Sequence, residues 1–286
     1  MSVDRVSVLI VSKGHAFAHD AFLAMFADMP GIATTLVEQP AAQIVLHGEE
    51  AGRWDCVVFY DMSGIPGIGL THDDANERGE PHPRYRAAIE ALLARGTGIV
   101  MLNHATVSWP AWNLWRAISA SSFMLRRGLL DGIEVPGSGY RGAHGPLPNA
   151  TFRVRAAGAH PVLEGLGDGF EITDELYLKT AGFERRVVPL LRGEYEFVEQ
   201  NFSPPPLAPP AERAGWRHPP GSDLVAWANA AGSSPVVATD LGDGPTAFGN
   251  GGFRRFLRNA IAWTASGDAR RWANNFSKAP RLEQIG

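Results

Sequence analysis

Short apolar runs, rich in β-branched residues, are the feature of this chain that most limits its fold. They cover residues 6–11, 56–60 and 98–102, and strands that helices bury on both faces have this pattern. Between them, apolar residues recur at helical spacing over residues 22–29 and 85–93, and residues 33–37 read as a further strand. The alternation predicts an α/β protein with a parallel sheet, right-handed crossovers and helices on both faces.

The second half of the chain is less periodic and predicts antiparallel additions to the same sheet. Strand-like runs cover residues 151–155, 170–178, 187–191, 224–227 and 235–239. Asn250 is placed to cap a helix whose apolar face runs from Phe253 to Thr264, and that face packs best against the first sheet. We therefore expect one domain over residues 1–286, with a loop containing seven prolines at 200–220 and a C-terminal tail at 268–286.

Composition excludes several classes of protein. The 286 residues carry a formal charge of -4, which gives no basic surface for nucleic acid. Cys56 is the single cysteine, so a disulfide framework and a cysteine-built zinc site are both excluded. No apolar stretch approaches about 18 residues, and the first apolar run is too short for a signal peptide, so we expect a cytoplasmic protein without membrane contact.

Polar side chains that follow the predicted parallel strands mark a site. Ligands of such folds bind at the carboxyl ends of the strands, and His15, His19, Asp61 and His104 all lie just past strand ends. Imidazoles suit proton transfer or metal binding near neutral pH. Each residue also has a structural alternative: a helix cap or solvent-facing side chain for His15 and His19, a turn cap for Asp61, and a backbone hydrogen bond for His104.

His104 stands at the sharp strand-to-loop turn where hydrolases and class I glutamine amidotransferases carry a Ser or Cys nucleophile. Cys56 lies inside a predicted strand, and Ser108 lies past the turn. Amide hydrolysis through a thiol is therefore not expected.

Further candidates come from other parts of the chain. Asp174 and Glu175 interrupt a strand-like run, and because neighbouring strand residues face opposite sides, one of them at most enters a given site. Trp109, Trp112 and Trp115 have the spacing of a packed helical face, although one of them could supply an aromatic platform for a sugar.

Residues 137–142 match a G-x-G-x-x-G pattern but are expected to form a loop, since no long strand precedes them. His72, Asp73, Asp74, Glu77 and His82 could form a metal cluster but are better explained as a polar linker before a helix.

With these residues in place, the sequence resembles the ThuA-like (trehalose utilisation) family, a branch of the class I glutamine amidotransferase-like superfamily. The resemblance spans almost the whole chain and rests on a series of short motifs in a fixed order. They are Gly14-His15, Val58-Phe59-Tyr60-Asp61, Leu102-Asn103-His104-Ala105 with Trp109-Pro110-Ala111-Trp112, Ser138-Gly139-Tyr140-Arg141, His160-Pro161-Val162 with Gly165-Leu166, Ile172-Thr173-Asp174-Glu175-Leu176-Tyr177, and Phe253-Arg254-Arg255 with Asn259-Ala260-Ile261-Ala262-Trp263.

The resemblance implies a flavodoxin-like sheet, a replaced amidotransferase nucleophile and a role in disaccharide catabolism, with a keto derivative as one substrate form. Such proteins often carry a Gly-His pair before the last helix, whereas this chain has Gly242-Asp243, and His144 is a loose match for another family histidine. A divalent metal, zinc for example, is left open, with His15, His104 and His144 as candidate ligands.

Together these observations predict an enzyme acting on a small carbohydrate by isomerisation, elimination or hydrolysis. His104 is the expected central acid/base, assisted by His15 or His19 and by Glu175. The expected substrate contacts are Asp61, His19, Trp109, Trp112, Tyr140, Arg141 and Asp174. The alternative is a non-catalytic sugar-binding or partner module on the same scaffold; a homo-oligomer is left open.

Overall fold

The structure is a computed structural model and describes residues 5–65, 79–205 and 207–276. Its strands are β1 (Val6–Ser12), β2 (Ile32–Glu38), β3 (Cys56–Phe59), β4 (Gly98–Leu102), β5 (Gly128–Leu130), β6 (Ile133–Val135), β7 (Gly139–Arg141), β8 (Ala150–Ala156), β9 (Gly169–Asp174), β10 (Leu176–Leu178), β11 (Val188–Glu194), β12 (Leu224–Ala231) and β13 (Ser234–Thr239). Its α-helices are α1 (His19–Ala27), α2 (Ala42–Val45), α3 (Pro83–Arg95), α4 (Asn113–Ser119), α5 (Pro210–Ala214), α6 (Pro245–Phe248), α7 (Gly251–Thr264) and α8 (Gly267–Phe276).

Nine strands form one mixed sheet in the order β2-β1-β3-β4-β13-β12-β11-β8-β9. The first five are parallel to one another, and the pairings from β13 through β12, β11 and β8 to β9 are antiparallel. The parallel part has the 2-1-3-4-5 order of flavodoxin-like sheets, with β13 as the fifth strand. The predicted α/β fold, with a parallel sheet and antiparallel additions, is confirmed.

Alternate residues of the parallel strands supply two hydrophobic cores, one on each face. In β3, Cys56 and Val58 belong to the core that contains α1 and α7, whereas Val57 and Phe59 belong to the core that contains α3 and α4. Both faces are therefore covered, which is why these strands are continuously apolar in sequence.

The parallel direction places the carboxyl ends of β1, β3, β4 and β13 at one edge of the sheet. The residues that follow these strands, including His15, Tyr60, His104 and Asp243, are therefore carried to the same edge. The chain reverses its crossover direction between β1 and β3, and in this topology ligands bind beside that point.

Several boundaries differ from those expected. The strand expected over 170–178 is divided at Glu175 into β9 and β10, and β10 pairs instead with β7, which lies inside the 137–142 segment expected to be a loop. The segment expected to be a tail begins in α8, with Ala269 and Ala273 buried, while residues 277–286 lie outside the described part of the chain.

The proline-rich segment is largely irregular, with α5 inside it. The polar segment before α3 lies mostly outside the description, including His72, Asp73, Asp74 and Glu77 of the alternative metal cluster; His82 is described and caps α3. Within the described ranges, no helix combines the length and apolar character needed to cross a bilayer.

Candidate functional site

Three side chains from distant parts of the chain meet at the carboxyl edge of the parallel strands. They are His15 after β1, His144 after β7 and Asp243 after β13, and each offers a ligand atom within 4.8 Å of the other two. The His15 ring meets the His144 ring edge-on, with centroids 4.5 Å apart. We call these three residues the histidine–aspartate cluster.

The loop that carries His15 depends on a glycine. Gly14 has φ +90°, and a Cβ there would lie 1.8 Å from the Met62 carbonyl oxygen. The loop is fastened to the segment after β3, since the Met62 N–H donates to the Lys13 carbonyl at 2.8 Å. Only glycine allows this close approach, so the backbone conformation requires a glycine immediately before His15.

The loop that carries Asp243 is held by Asp174. The Asp174 carboxylate accepts hydrogen bonds from the N–H groups of Gly242 at 2.6 Å, Asp243 at 3.2 Å and Glu175 at 3.0 Å. Burial raises the pKa of Asp174 to about 7, against the opposing effect of these three bonds. The predicted substrate contact of Asp174 is therefore replaced by a structural role: its oxygens are occupied by the loop that positions Asp243.

Two polar atoms of the cluster are buried without a hydrogen-bond partner among the described residues, namely His15 Nδ1 and Asp243 Oδ1. Burial raises the pKa of the Asp243 carboxyl while His15 and His144 oppose the shift. Burial also lowers the pKa of His15, and Asp243 partly offsets this. Buried polar atoms normally have partners, and two unpaired atoms facing one cluster call for an additional group.

The donor set of the cluster fits a divalent transition metal. Two imidazoles and one carboxylate form a set used for zinc and for non-haem iron, with further positions left for water or substrate. Asp243 occupies the place where the resemblance implies histidine, and it supplies a ligand atom of its own. Of the candidate metal ligands His15, His104 and His144, His104 is not part of the cluster.

His104 packs against the cluster through the His15 ring. Its ring stacks on that of His15, with centroids 4.6 Å apart and planes 28° apart. However, both ring nitrogens contact protein acceptors: Nδ1 lies 3.0 Å from Asn103 Oδ1 and Nε2 lies 2.8 Å from the Tyr60 carbonyl oxygen.

These contacts change the interpretation of His104. Burial, followed by the neighbouring His15, lowers its pKa to about 3, so the ring is neutral at neutral pH. A carbonyl only accepts, which places the proton on Nε2 facing Tyr60. The Nε2 proton is committed to the Tyr60 carbonyl, and the unprotonated Nδ1 lies against the Asn103 amide oxygen without a hydrogen bond in a ring that is 3% exposed, so the geometry favours a positioning role over the predicted role of central acid/base.

Glu175 is the acid/base candidate that burial and neighbouring charge favour. It is 3% exposed, its Oε1 accepts from the Tyr140 hydroxyl, and its Oε2 lies 3.3 Å from the Tyr177 hydroxyl. Burial, followed by the charge of Asp243, raises the pKa of Glu175 to about 8. A carboxyl group that keeps its proton at neutral pH can donate it to a substrate.

Tyr140 and Tyr177 connect Glu175 to the rest of the site. The Tyr140 hydroxyl accepts from the His144 N–H at 3.2 Å, and the Tyr177 hydroxyl lies 3.0 Å from Asn103 Oδ1. Tyr140, which was predicted to contact substrate, thus lies beside the cluster, although its hydroxyl is hydrogen-bonded to Glu175.

The hydrogen bonds of the Asp61 carboxylate go to side chains other than the imidazoles. Its Oδ2 accepts from the hydroxyl of Ser63 at 2.7 Å and from Gln39 Nε2 at 3.1 Å. Burial raises its pKa to about 6, with both hydrogen bonds opposing the shift. The structure places Asp61 in the turn that follows β3, which is the alternative that the sequence left open, and does not place it beside a histidine.

The remaining predicted contacts are dispersed. His19 is exposed at the start of α1 and stacks on Phe17, with centroids 4.1 Å apart. Arg141 donates to the Asn201 carbonyl at 3.3 Å. Trp109 and Trp112 are buried in the core that contains α3 and α4, apart from the cluster.

Sequence reasoning gave Asp243 no functional role. Asp243 follows the strand predicted at 235–239, which the sequence placed among the antiparallel additions; only the observed parallel pairing with β4 brings it to the edge that carries His15 and His104. Tyr177 and Asn103 were expected only as members of motifs, because nothing local in the sequence shows that the Tyr177 hydroxyl lies between Glu175 and Asn103.

Comparisons with known proteins agree with this architecture. A family model described as ThuA, trehalose utilisation, matches residues 7–264. A ThuA-like protein from Bacteroides uniformis is 18% identical, with a TM-score of 0.61 over 97% of this chain and 98% of that one. A ThuA-like protein from Parabacteroides merdae is 15% identical, with a TM-score of 0.60 over 92% and 91% of the two chains.

A cytoplasmic protein from Salmonella typhimurium is 11% identical, with a TM-score of 0.52 over 90% of this chain and 99% of that one. At these identities the solved structures show a shared fold alone. No curated protein sequence matches the chain.

Proposed function

The chain belongs to the ThuA (trehalose utilisation) family, and from this premise we propose that it is an enzyme of carbohydrate metabolism that acts on a disaccharide or its keto derivative. Acid/base chemistry at Glu175, next to the histidine–aspartate cluster, fits an isomerisation, an elimination or a hydrolysis beside a carbonyl group. Such chemistry needs no thiol nucleophile; Cys56 is buried, and burial raises its pKa to about 12.

One observation carries the proposal: the buried Glu175 carboxyl group, with its pKa raised to about 8, is linked through the Tyr140 hydroxyl to the cluster, where His15 Nδ1 and Asp243 Oδ1 have no partner among the described residues. Asp243 raises the pKa of Glu175, so the two groups interact electrostatically. Groups whose surroundings move their pKa values toward neutrality are typical of catalytic sites. A positioned acid or base contributes about 10²–10⁴-fold to a rate.

The roles of the residues follow from their contacts. Glu175 would hold the transferable proton on a carboxyl oxygen, with the Tyr140 and Tyr177 hydroxyls fixing its orientation. His104 would hold the His15 ring by stacking, and Asp174 would hold the Asp243 loop. His15, His144 and Asp243 would hold a divalent metal, which when bound supplies Lewis-acid polarisation of a carbonyl oxygen.

The test is turnover of a panel of disaccharides and 3-keto-disaccharides, with products followed by mass spectrometry, with and without a chelator. Glu175→Gln should reduce turnover by at least about 10²-fold, the lower bound for a positioned acid/base group. Glu171→Gln is the matched control, because Glu171 is exposed on β9, four positions before Glu175, and turnover should be unchanged.

Two results would contradict the proposal. Equal turnover by wild type and Glu175→Gln would remove Glu175 from the chemistry. Binding of a disaccharide without conversion of any panel member would instead support the non-catalytic sugar-binding module.

A further inference from the structure

A cavity of about 630 Å³ is lined by residues outside the histidine–aspartate cluster. Its walls come from the segments around β4 and α4 and from residues 121–129, and it is lined by none of the three cluster residues or Glu175. Cavities of about 300–1,000 Å³ are the size that small-molecule ligands occupy in proteins.

The charged side chains among the described residues that line this cavity are of one sign. Arg116, Arg126 and Arg127 line it, and no Asp or Glu is among the described lining residues. This contrasts with the chain as a whole, which has a formal charge of -4. A cleft lined by one sign of charge concentrates ligands of the opposite sign.

Two of the three guanidinium groups have little else to bind. The contact of Arg116 is a long one, from Nη2 to the Pro110 carbonyl at 3.5 Å. Arg126 is exposed, and its guanidinium has no ion pair or hydrogen bond with the described residues. Arg127 differs, since its Nη1 lies 3.6 Å from Glu134 Oε1. Free guanidinium groups match carboxylate and phosphate oxygens in geometry as well as in charge.

The rest of the wall is apolar and partly aromatic. Trp109, Phe123 and Leu129 line it together with other aliphatic side chains. Trp109, at 2% exposure, lines this cavity and not the histidine–aspartate cluster. Apolar walls with a few placed charges are typical of sites for small organic ligands.

We propose that this cavity is a second binding site, which takes a small organic anion carrying a phosphate ester or a carboxylate. Arg116 and Arg126 bind the anionic group, and the aromatic walls contact the rest of the molecule. The inference goes beyond the proposed function and does not depend on it, because the cavity shares no residue with the cluster. The two sites nevertheless adjoin, since the Phe123 ring meets the Tyr177 ring with centroids 4.9 Å apart.

Binding is tested on the full chain by isothermal titration calorimetry, with no need for a substrate of the first site. The probes are glucose 6-phosphate, gluconate and inorganic phosphate, with glucose as the neutral control. The variants are Arg116→Gln, Arg126→Gln and their combination. Arg95→Gln is the matched control, because Arg95 is exposed in the last turn of α3, away from the cavity.

We expect at least one of the two organic anions to bind and glucose not to bind. Each cavity variant should weaken that binding by about tenfold, the lower end for loss of a charge-assisted hydrogen bond, and the double variant by more. The preferred anion identifies the ligand as a phosphate ester or a carboxylate.

Any of three results would overturn the proposal: no binding of either organic anion up to about 10 mM, equal binding of glucose, or equal weakening by Arg95→Gln. Circular dichroism of each variant checks folding. A variant that fails to fold is replaced by Arg126→Lys. This substitution keeps the positive charge but removes the paired N–H donors of the guanidinium group, so it should also weaken binding.

Discussion

Asp243 is the residue on which the metal-binding hypothesis depends most directly. Its carboxylate faces two imidazoles, and one of its oxygens is buried without a partner among the described residues. Asp243→Asn keeps the shape but removes the charge, so affinity for zinc should fall by more than about tenfold. Calorimetric titration with zinc measures this, and Asp268→Asn, at an exposed site in α8, should match wild type. Unchanged zinc affinity in Asp243→Asn would exclude the cluster as the site.

Glu175 gives a prediction about stability and pH. The folded protein keeps this proton up to about pH 8, whereas the ordinary pKa of the group is 4.5. Folding therefore takes up a proton between these values, and this contribution to stability is lost as pH rises. Glu175→Gln should gain stability over wild type by up to about 1.4 kcal/mol per pH unit across this window.

Urea unfolding at several pH values between 4.5 and 8 measures this difference. Glu171→Gln, at an exposed position, should show a stability difference from wild type that does not change with pH. If the difference for Glu175→Gln is also flat across the window, the carboxyl group is ionised at neutral pH and cannot act as the proposed proton donor.

The sequence predicted where the site residues lie better than it predicted what they contact. His15 and His104 were expected at one edge of the sheet, and their rings do stack there. The orientation of a ring or a carboxylate depends on distant backbone groups, such as the Tyr60 carbonyl beside His104 and Gln39 beside Asp61. Such partners leave no local signal, so positions were predictable and roles were not.

At the scale of a helix, the start of α7 shows whether the capping role predicted for Asn250 is correct. The Asn250 side chain accepts from the Phe253 N–H at 3.0 Å, as expected, and also donates to the Glu171 carbonyl at 2.7 Å. Asn250→Ala should therefore cost about 1–2 kcal/mol of stability. Urea unfolding measures this, with Asn250→Ser as the control that keeps the cap acceptor. Equal stability of the alanine variant would mean that packing alone defines the start of α7.

The loop after β1 makes a prediction about a backbone position. Gly14→Ala would place a methyl group against the Met62 carbonyl at a φ of +90°. The variant should lose about 2 kcal/mol or more of stability and should also bind zinc more weakly, because His15 is displaced. Gly52→Ala is the control, since nothing lies within 4 Å of an added Cβ there. Wild-type zinc binding by Gly14→Ala would show that the loop does not position His15.

Whole-molecule topology explains why the site could be only partly predicted. Continuous apolar runs indicate parallel strands, and parallel strands bring their carboxyl ends to one edge. The sequence does not show that β13 lies next to β4, which is the pairing that brings Asp243 to that edge. Nor does it show that β7 and β10 pair outside the main sheet, which brings Tyr140 beside Tyr177. Long-range pairings of this kind are set by the packing of the complete chain.

The histidine–aspartate cluster joins three segments that are far apart in the chain, so an ion bound there should stabilise the whole fold. A ligand present at about 100 times its Kd adds about 2.7 kcal/mol of stability. At about 2–4 °C per kcal/mol, the midpoint of thermal unfolding should rise by roughly 5–10 °C with zinc. Differential scanning calorimetry measures the shift, which His15→Ala should abolish and His19→Ala should preserve, because His19 is exposed outside the cluster. An equal zinc-dependent rise in the His15→Ala variant would place the stabilising ion elsewhere on the molecule.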